Sequence, residues 1–344
     1  MEKVNVAIVG ATGAVGTKIL EKLLERNFPV QSIKLLASKR SAGTEITAGG
    51  HTYVVEETVP ESFEGISIAF FSAGGTISEK FAHEAVTRGA IVIDNTSAFR
   101  MKEQIPLVVP EVNADALNGK AGIIANPNCS TIQMVTALQP IREKFGLKRI
   151  VVSTYQAVSG AGSEAIDELE SQSLQFQERA TIQAAILPSA SAEHHYPIAF
   201  NVIPQIDSFD SSGYTLEELK MMNETKKIFG DNELSVVATC VRLPVVTGHS
   251  ESVYIEIGKE GVSVEDIQAL LAVAPGVVIQ DDPSKQLYPM PLFAEGKDEV
   301  FVGRIRKDPD HPAGFHLWIV SDNLLKGAAL NSVQIAERLV NFIQ

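Results

Sequence analysis

The residues that most restrict the fold lie at the start of the chain. The apolar-leaning run from Val4 to Val9 leads straight into Gly10-Ala11-Thr12-Gly13-Ala14-Val15-Gly16, and apolar residues then recur at Val15, Ile19, Leu20, Leu23 and Leu24. Apolar run, glycine cluster and helical stripe, in that order, predict a strand, a tight turn and a helix. A strand feeding a helix in this way opens a parallel α/β sheet. Glycines let the turn's backbone approach a pyrophosphate, and the helix N-terminus supplies N–H groups to it. The spacing is G-x-x-G-x-x-G rather than the commoner G-x-G-x-x-G. Its flanks favour nucleotide binding over a structural turn.

A second strand, Ile33 to Ala37, ends in Ser38-Lys39-Arg40-Ser41. An NAD site would usually carry an acidic residue near here for the ribose 2′-hydroxyl, whereas two cations and two hydroxyls suit a 2′-phosphate. The expectation is NADP, with a solvated basic turn as the other reading. Strands at Ile68 to Phe71 and Ile91 to Asp94, separated by a helix from Ile77 to Arg88, continue the alternation and imply a doubly wound parallel sheet. Ser72-Ala73-Gly74-Gly75-Thr76 and Asn95-Thr96-Ser97-Ala98-Phe99-Arg100 follow the carboxyl ends of these strands, where such sheets bind ligands. The hydroxyls and arginine of the second loop could hold a phosphate, or form a capping turn with a surface arginine.

Another apolar run, Gly122 to Ala125, is followed by Asn126-Pro127-Asn128-Cys129-Ser130-Thr131-Ile132 and by helical spacing through Val135, Leu138 and Ile141. Cys129 therefore falls at a helix N-terminus, where unpaired N–H groups and the macrodipole stabilise a thiolate. On its own it fits two readings, an acyl-transfer nucleophile or a small buried hydrophobe.

Beyond this helix the pattern changes. Ile150 to Tyr155 reads as a strand leading to Gln156-Ala157-Val158-Ser159-Gly160-Ala161-Gly162, a loop too rich in small residues for a core element. A long helix is predicted from Ser163 to about Ala185. Residues 187–207 read as irregular, with prolines at 188, 197 and 204. His194 and His195 are adjacent, so their side chains diverge; they read as surface or interface residues, and no metal site is expected. Strands at Val236 to Leu243, Val253 to Ile257, Val300 to Arg306 and Phe315 to Val320 lack regular crossovers, which suggests a mixed sheet in a second α+β domain with an oligomer interface. Cys240, inside the first of these strands, reads as core. A terminal amphipathic helix, Leu324 to Ile343, is expected to return to the first domain.

The 344 residues suffice for two cores. Two cysteines fit a reducing compartment. Val4 to Val9 is too short for a signal-peptide core, and no segment approaches the roughly 20 apolar residues of a membrane span. The expectation is a cytoplasmic protein. A net charge of −13 argues against nucleic acid or anionic membranes as partners.

Cys129 needs a base. Of seven histidines, His249 in Arg242-Leu243-Pro244-Val245-Val246-Thr247-Gly248-His249-Ser250 is the best placed, in a loop leaving a strand. The nucleotide turn, Asn-Cys at a helix start, and an arginine with a histidine seven residues later together resemble the aspartate-β-semialdehyde dehydrogenases over essentially the whole chain. Asn95 to Arg100, Tyr155 to Gly162 and Glu224-Thr225-Lys226-Lys227 match the family in order. The related N-acetyl-γ-glutamyl-phosphate reductases resemble Asn-Pro-Gly-Cys-Tyr at the nucleophile, where this chain has Asn-Pro-Asn-Cys-Ser.

The resemblance implies a Rossmann-like NADP-binding domain, 1–128 plus 322–344, and a catalytic and dimerisation domain, 129–321. It implies reversible NADPH-dependent reduction of L-4-aspartyl phosphate to L-aspartate 4-semialdehyde and phosphate through a cysteine thioester. That step belongs to the route to lysine, methionine, threonine and diaminopimelate, and a homodimer is implied. Cys129 would be the nucleophile, His249 the acid and base with an ordinary imidazole pKa near 6.5, and Gln156 the orienting residue. Arg100 and Lys227 would hold phosphate, Arg242 the α-carboxylate and Glu224 the α-ammonium, with Asn128 also touching substrate. Gly10, Thr12, Gly13, Ala14, Val15, Ser38, Arg40, Ser41, Thr76, Ser159, Gly160, Pro197 and Asn323 would bind cofactor.

Overall fold

The computed structural model describes residues 3–117, 122–178 and 181–340. It divides into two compact units, Met1–Asn128 with Gly327–Gln344, and Cys129–Lys326.

The first unit contains β1 (Val4–Val9), α1 (Ala14–Glu25), β2 (Val30–Ala37), β3 (Glu45–Ala48), β4 (His51–Glu57), β5 (Ile68–Phe71), α2 (Gly75–Thr87), β6 (Ile91–Asp94), the single turn α3 (Pro110–Asn113) and β7 (Ile123–Ala125). The strands form one sheet in the order β3-β4-β2-β1-β5-β6-β7. Every pairing is parallel except β3 with β4, an antiparallel hairpin at the edge that the alternation does not predict. β1 is central and almost wholly buried, as its continuous apolar run requires. From β1 the chain goes to β2 on one side and later to β5 on the other, so the glycine turn after β1 stands at the switch point. Gly10 has φ +87°, and a Cβ there would lie 2.9 Å from the Ala73 nitrogen, so glycine alone suits this turn.

The second unit contains α4 (Cys129–Phe145), β8 (Leu147–Gln156), α5 (Ser163–Gln177), α6 (Leu216–Phe229), β9 (Ser235–Arg242), β10 (His249–Ile257), α7 (Val264–Leu271), β11 (Val277–Ile279), the single turn α8 (Pro291–Ala294), β12 (Val300–Lys307) and β13 (Gly314–Ser321). The sheet order is β11-β12-β13-β10-β8-β9. Pairings β8 with β9 and β11 with β12 are parallel and the others antiparallel, a mixed sheet. Burial alternates along β8 and β10, which gives the sheet one buried and one half-exposed face. α4 and α6 pack on this sheet.

Several expectations are corrected. α5 ends at Gln177 instead of running to Ala185. Glu168 of α5 accepts hydrogen bonds from the backbone of Ala185 (3.1 Å) and Ile186 (2.8 Å), which folds the chain back along the helix; residues 179 and 180 lie outside the described residues. The small-residue segment after β8 forms a short 3-10 turn, Val158–Ala161, whose Val158 belongs to a buried apolar cluster with Leu169 and Ile198. The second crossing between units falls after Lys326, not before residue 322. Asp322 and Asn323 belong to the second unit because Asp322 accepts from Gly296 N (2.8 Å) and Asn323 from Gly248 N (2.9 Å).

The terminal segment begins as a π-turn, Leu325–Ala329, and continues as α9 (Leu330–Val340); Ile343 lies outside the described residues. Val333, Ala336 and Leu339 of α9 share the buried cluster of Ile19, Leu20 and Leu23 from α1, and Arg26 forks onto Glu337 at 2.8 and 2.9 Å.

Candidate active site

Three strand ends meet at one edge of the second sheet. β8 and β9 run parallel and in register, so Gln156 pairs with Arg242 where both strands finish. β10 runs antiparallel to β8 and begins there with His249. The two-residue period puts Gln156, Arg242 and His249 on the buried face. His249 is thus the first residue of a strand and fully buried, not part of an exposed loop.

The Ala157 N–H donates to His249 Nδ1 (3.1 Å), so the proton of the neutral ring sits on Nε2. Burial, reinforced by the positive charge of Arg242 and opposed by Glu217, pushes His249 down to about 3. The ring is therefore neutral at ordinary pH, and the value near 6.5 expected of an exposed imidazole does not hold here. Gln156 Nε2 lies 3.4 Å from His249 Nε2. A second set of contacts fixes Gln156 itself: Thr154 Oγ1 donates to its Oε1 (2.9 Å), and its Nε2 donates to Glu217 Oε1 (3.1 Å).

Arg242 Nη1 donates to Ala157 O (2.6 Å), while its Nε finds no hydrogen-bond partner among the described residues. Burial lowers its pKa, and Glu217, followed by Cys129, opposes that shift. A buried guanidinium with an unused N–H is built for an anion. Gly160 lies over the pair: a Cβ there would be 3.2 Å from both Arg242 Nη1 and His249 Nε2. Ser159 Oγ and Asn323 are hydrogen-bonded close by, with Nδ2 donating at 3.0 Å. Pro197 is half-buried in the segment after α5, and its carbonyl accepts from Asn201.

Cys129 is the first residue of α4 and half-buried, on the helix that packs against β8 and β10. Cys240 is buried in β9, where burial and nearby glutamates push its thiol up, the opposite of activation. Glu224 is buried on α6; Lys227 is half-buried, its pKa lowered by burial against the favourable Glu224 charge.

In the first unit, Gly10, Thr12, Gly13, Ser38, Arg40 and Ser41 line one cavity of about 470 Å3. Ala14 and Val15 open α1 behind the turn, and Thr76 is the second residue of α2. The glycine cradle at the switch point fits a dinucleotide, and Ser38, Lys39, Arg40 and Ser41 stand on the wall beside it. Arg100 is buried, its Nε donating to Asn126 O (2.9 Å) and its Nη2 to Asn95 O (2.8 Å). Asn128 is buried immediately before α4.

Residues 5–120 match the family model described as semialdehyde dehydrogenase, NAD binding domain, and residues 138–326 the one described as semialdehyde dehydrogenase, dimerisation domain. The aspartate-semialdehyde dehydrogenase of Bacillus subtilis (strain 168) is 64% identical over 335 residues, 97% of each chain. The chain belongs to the aspartate-semialdehyde dehydrogenase family. That of Aquifex aeolicus (strain VF5) is 54% identical over 339 residues, 98% of each chain. Aspartate semialdehyde dehydrogenase II of Vibrio cholerae, solved as a complex with ASA, superposes with a TM-score of 0.93 at 46% identity over 99% of both chains. The Candida albicans aspartate semialdehyde dehydrogenase with NADP gives 0.76 at 25% identity over 99% of both.

For this aspartate-semialdehyde dehydrogenase family member, the motifs leave several well-placed residues unnoticed. Glu57, Thr58 and Lys80 also line the first-unit cavity. Glu217 precedes Glu224 by seven residues on α6, and that two-turn spacing was the signal for a shared buried face. Glu251, two residues beyond His249 on the same buried face, left no signal in the sequence. Among the described residues no group of three or more His, Cys, Asp or Glu could hold a metal, and no helix is long and apolar enough to cross a membrane.

Proposed function

We propose that the chain reduces L-4-aspartyl phosphate to L-aspartate 4-semialdehyde and phosphate, reversibly and with NADPH, in the route to lysine, methionine, threonine and diaminopimelate. The observation that carries this reading is the convergence of Gln156, Arg242 and His249 where three strand ends meet, with Cys129 opening the helix α4 that packs on the same sheet. Cys129 attacks the acyl phosphate, phosphate leaves, and a thioester forms on its sulfur. NADPH, when bound, would supply the hydride for this thioester; the carbon–sulfur bond then breaks, releasing the semialdehyde and returning the Cys129 sulfur. Arg242 holds the α-carboxylate, Glu224 the α-ammonium, and Arg100 with Lys227 the phosphate; Asn128 and Gln156 orient the acyl group.

His249 carries out its part as a neutral ring. Its proton on Nε2 donates a hydrogen bond to the oxygen that gains charge as the thioester is reduced, a role open to a neutral imidazole. Acceptance of a proton by Nδ1 would first require the Ala157 hydrogen bond to break. Gly160 leaves the space over Nε2 open.

NADP preference is supported by Ser38, Lys39, Arg40 and Ser41 on the cavity wall. A homodimer is supported by the half-exposed sheet face, where Tyr155 and Trp318 lie 5.5 Å apart and Tyr254 and His316 5.0 Å apart, in the region matched by the dimerisation-domain model. Two free cysteines accord with the cytoplasm. The deciding assay is phosphate-dependent NADP reduction by aspartate semialdehyde. No reduction, or reduction that persists without phosphate or its analogue arsenate, overturns the reading.

A further inference from the structure

We propose that Glu217 is a positioning residue that keeps the Gln156 amide turned so that its Nε2, and not its Oε1, faces His249. The inference rests on the reading of Gln156 and His249 given above.

The argument is one of donors and acceptors. His249 Nδ1 accepts from Ala157, so Nε2 carries the ring proton and is a donor. Gln156 presents its own NH2 to that atom at 3.4 Å, so two donors face each other and the ring proton is left for another acceptor. Turned by half a rotation, the amide would present Oε1 at the same place and take up the Nε2–H. Thr154 does not prevent the turn, since a hydroxyl can donate to an oxygen or accept from an NH2 equally well. Glu217 does. Its carboxylate only accepts, and Oε1 at 3.1 Å would face the Gln156 carbonyl oxygen after the turn. Glu217 is held in turn by Lys220, whose Nζ lies 3.3 Å from Oε2 and 2.9 Å from Asp207. Glu217 is buried, so this preference operates with little screening by water.

Glu217→Gln keeps the shape of the side chain but can present either an oxygen or an NH2 to Gln156, which releases the constraint. The test is a double-mutant cycle on kcat with Gln156→Ala. Because one hydrogen bond to a charged group is at stake, E217Q should lower kcat about tenfold or more while the KM for semialdehyde stays within about threefold. In the Q156A background the same change should have almost no effect on kcat, because no amide remains to turn. Lys220→Met, at a half-buried position, should act in the same direction more weakly and also fall silent in Q156A. Melting temperature and NADP affinity monitor the fold of each variant.

E217Q as fast as the parent, or an equal loss in the parent and Q156A backgrounds, overturns the proposal and leaves the proposed reaction standing; if E217Q does not fold, the K220M cycle decides on the same criterion. A Q156A enzyme as fast as the parent, or a parent without the activity, overturns the underlying reading and the proposal with it.

Discussion

Replacement of Glu251 by Gln should make the stability of this protein less sensitive to alkaline pH. Glu251 sits in β10 between Thr154 of β8 and Ile319 of β13, fully buried, and neither carboxyl oxygen finds a hydrogen-bond partner among the described residues. Burial holds its pKa well above the ordinary 4.5, and the neighbouring Gln133 offsets only part of that cost. The folded chain therefore keeps a proton that the unfolded chain releases. Stability is greatest below about 4.5 and falls as pH rises toward the folded value, with a limiting slope near 1.4 kcal/mol per pH unit. Glutamine has no such dependence. The melting temperature of E251Q relative to the parent should therefore rise as pH is raised above about 4.5, by at most roughly 3 to 6 °C per pH unit for a cooperative unit of this size. Calorimetry on both proteins across that range measures this, and a difference that stays constant would refute the reasoning.

Three further outcomes are expected. Cys129→Ala should abolish turnover while leaving the melting temperature and NADP binding unchanged, and Cys240→Ala should stay active; steady-state assays and a cofactor titration check both. Arg40→Ala should lower NADP efficiency about tenfold or more and leave NAD use nearly unaltered, because only the 2′-phosphate loses a charged partner; kcat/KM with each cofactor decides it. Gly160→Ala should reduce turnover with the fold intact, since the added methyl would stand 3.2 Å from Arg242 Nη1 and His249 Nε2, and kcat beside a melting curve tests it.

What the sequence shows of this protein follows from periodicity and punctuation. Continuous apolar runs marked β1 and β5, the glycine turn marked the start of α1, and Asn-Pro-Asn before a helical stripe placed Cys129 at the first residue of α4. The β3–β4 hairpin escaped because its residues are largely exposed and polar, without an apolar run to announce strands. The length of α5 escaped for another reason: its sequence continues to look helical, and the turn of the chain is held by Glu168 accepting from Ala185 and Ile186 and by Gln172 and Gln175 bonding to the backbone of Gln183. Local sequence is also silent on charge state. The pKa of His249 is set by a sheet edge, Arg242 and Glu217, all brought to it by pairings far apart in the chain, and Glu251 reads as an ordinary strand glutamate until its neighbours are known.

The return of α9 to the first unit separates the order of synthesis from the order of completion. Domains tend to fold as units while a chain emerges from the ribosome, the N-terminal one first. Here the core beside α1 lacks Val333, Ala336 and Leu339 until α9 has been made, whereas the residues of the second unit have all been made by Lys326. The later unit can thus close before the earlier one. The late helix also carries Asn331, which donates to Val108 O (3.0 Å) and Asn126 Oδ1 (2.7 Å), and Ser332, which donates to Asn95 Oδ1 (2.7 Å). Asn95 and Asn126 are the residues whose carbonyls grip Arg100. A nascent chain stalled before residue 331 would hold a formed Cys129 helix and an Arg100 whose supports, Asn95 and Asn126, still lack their own anchor.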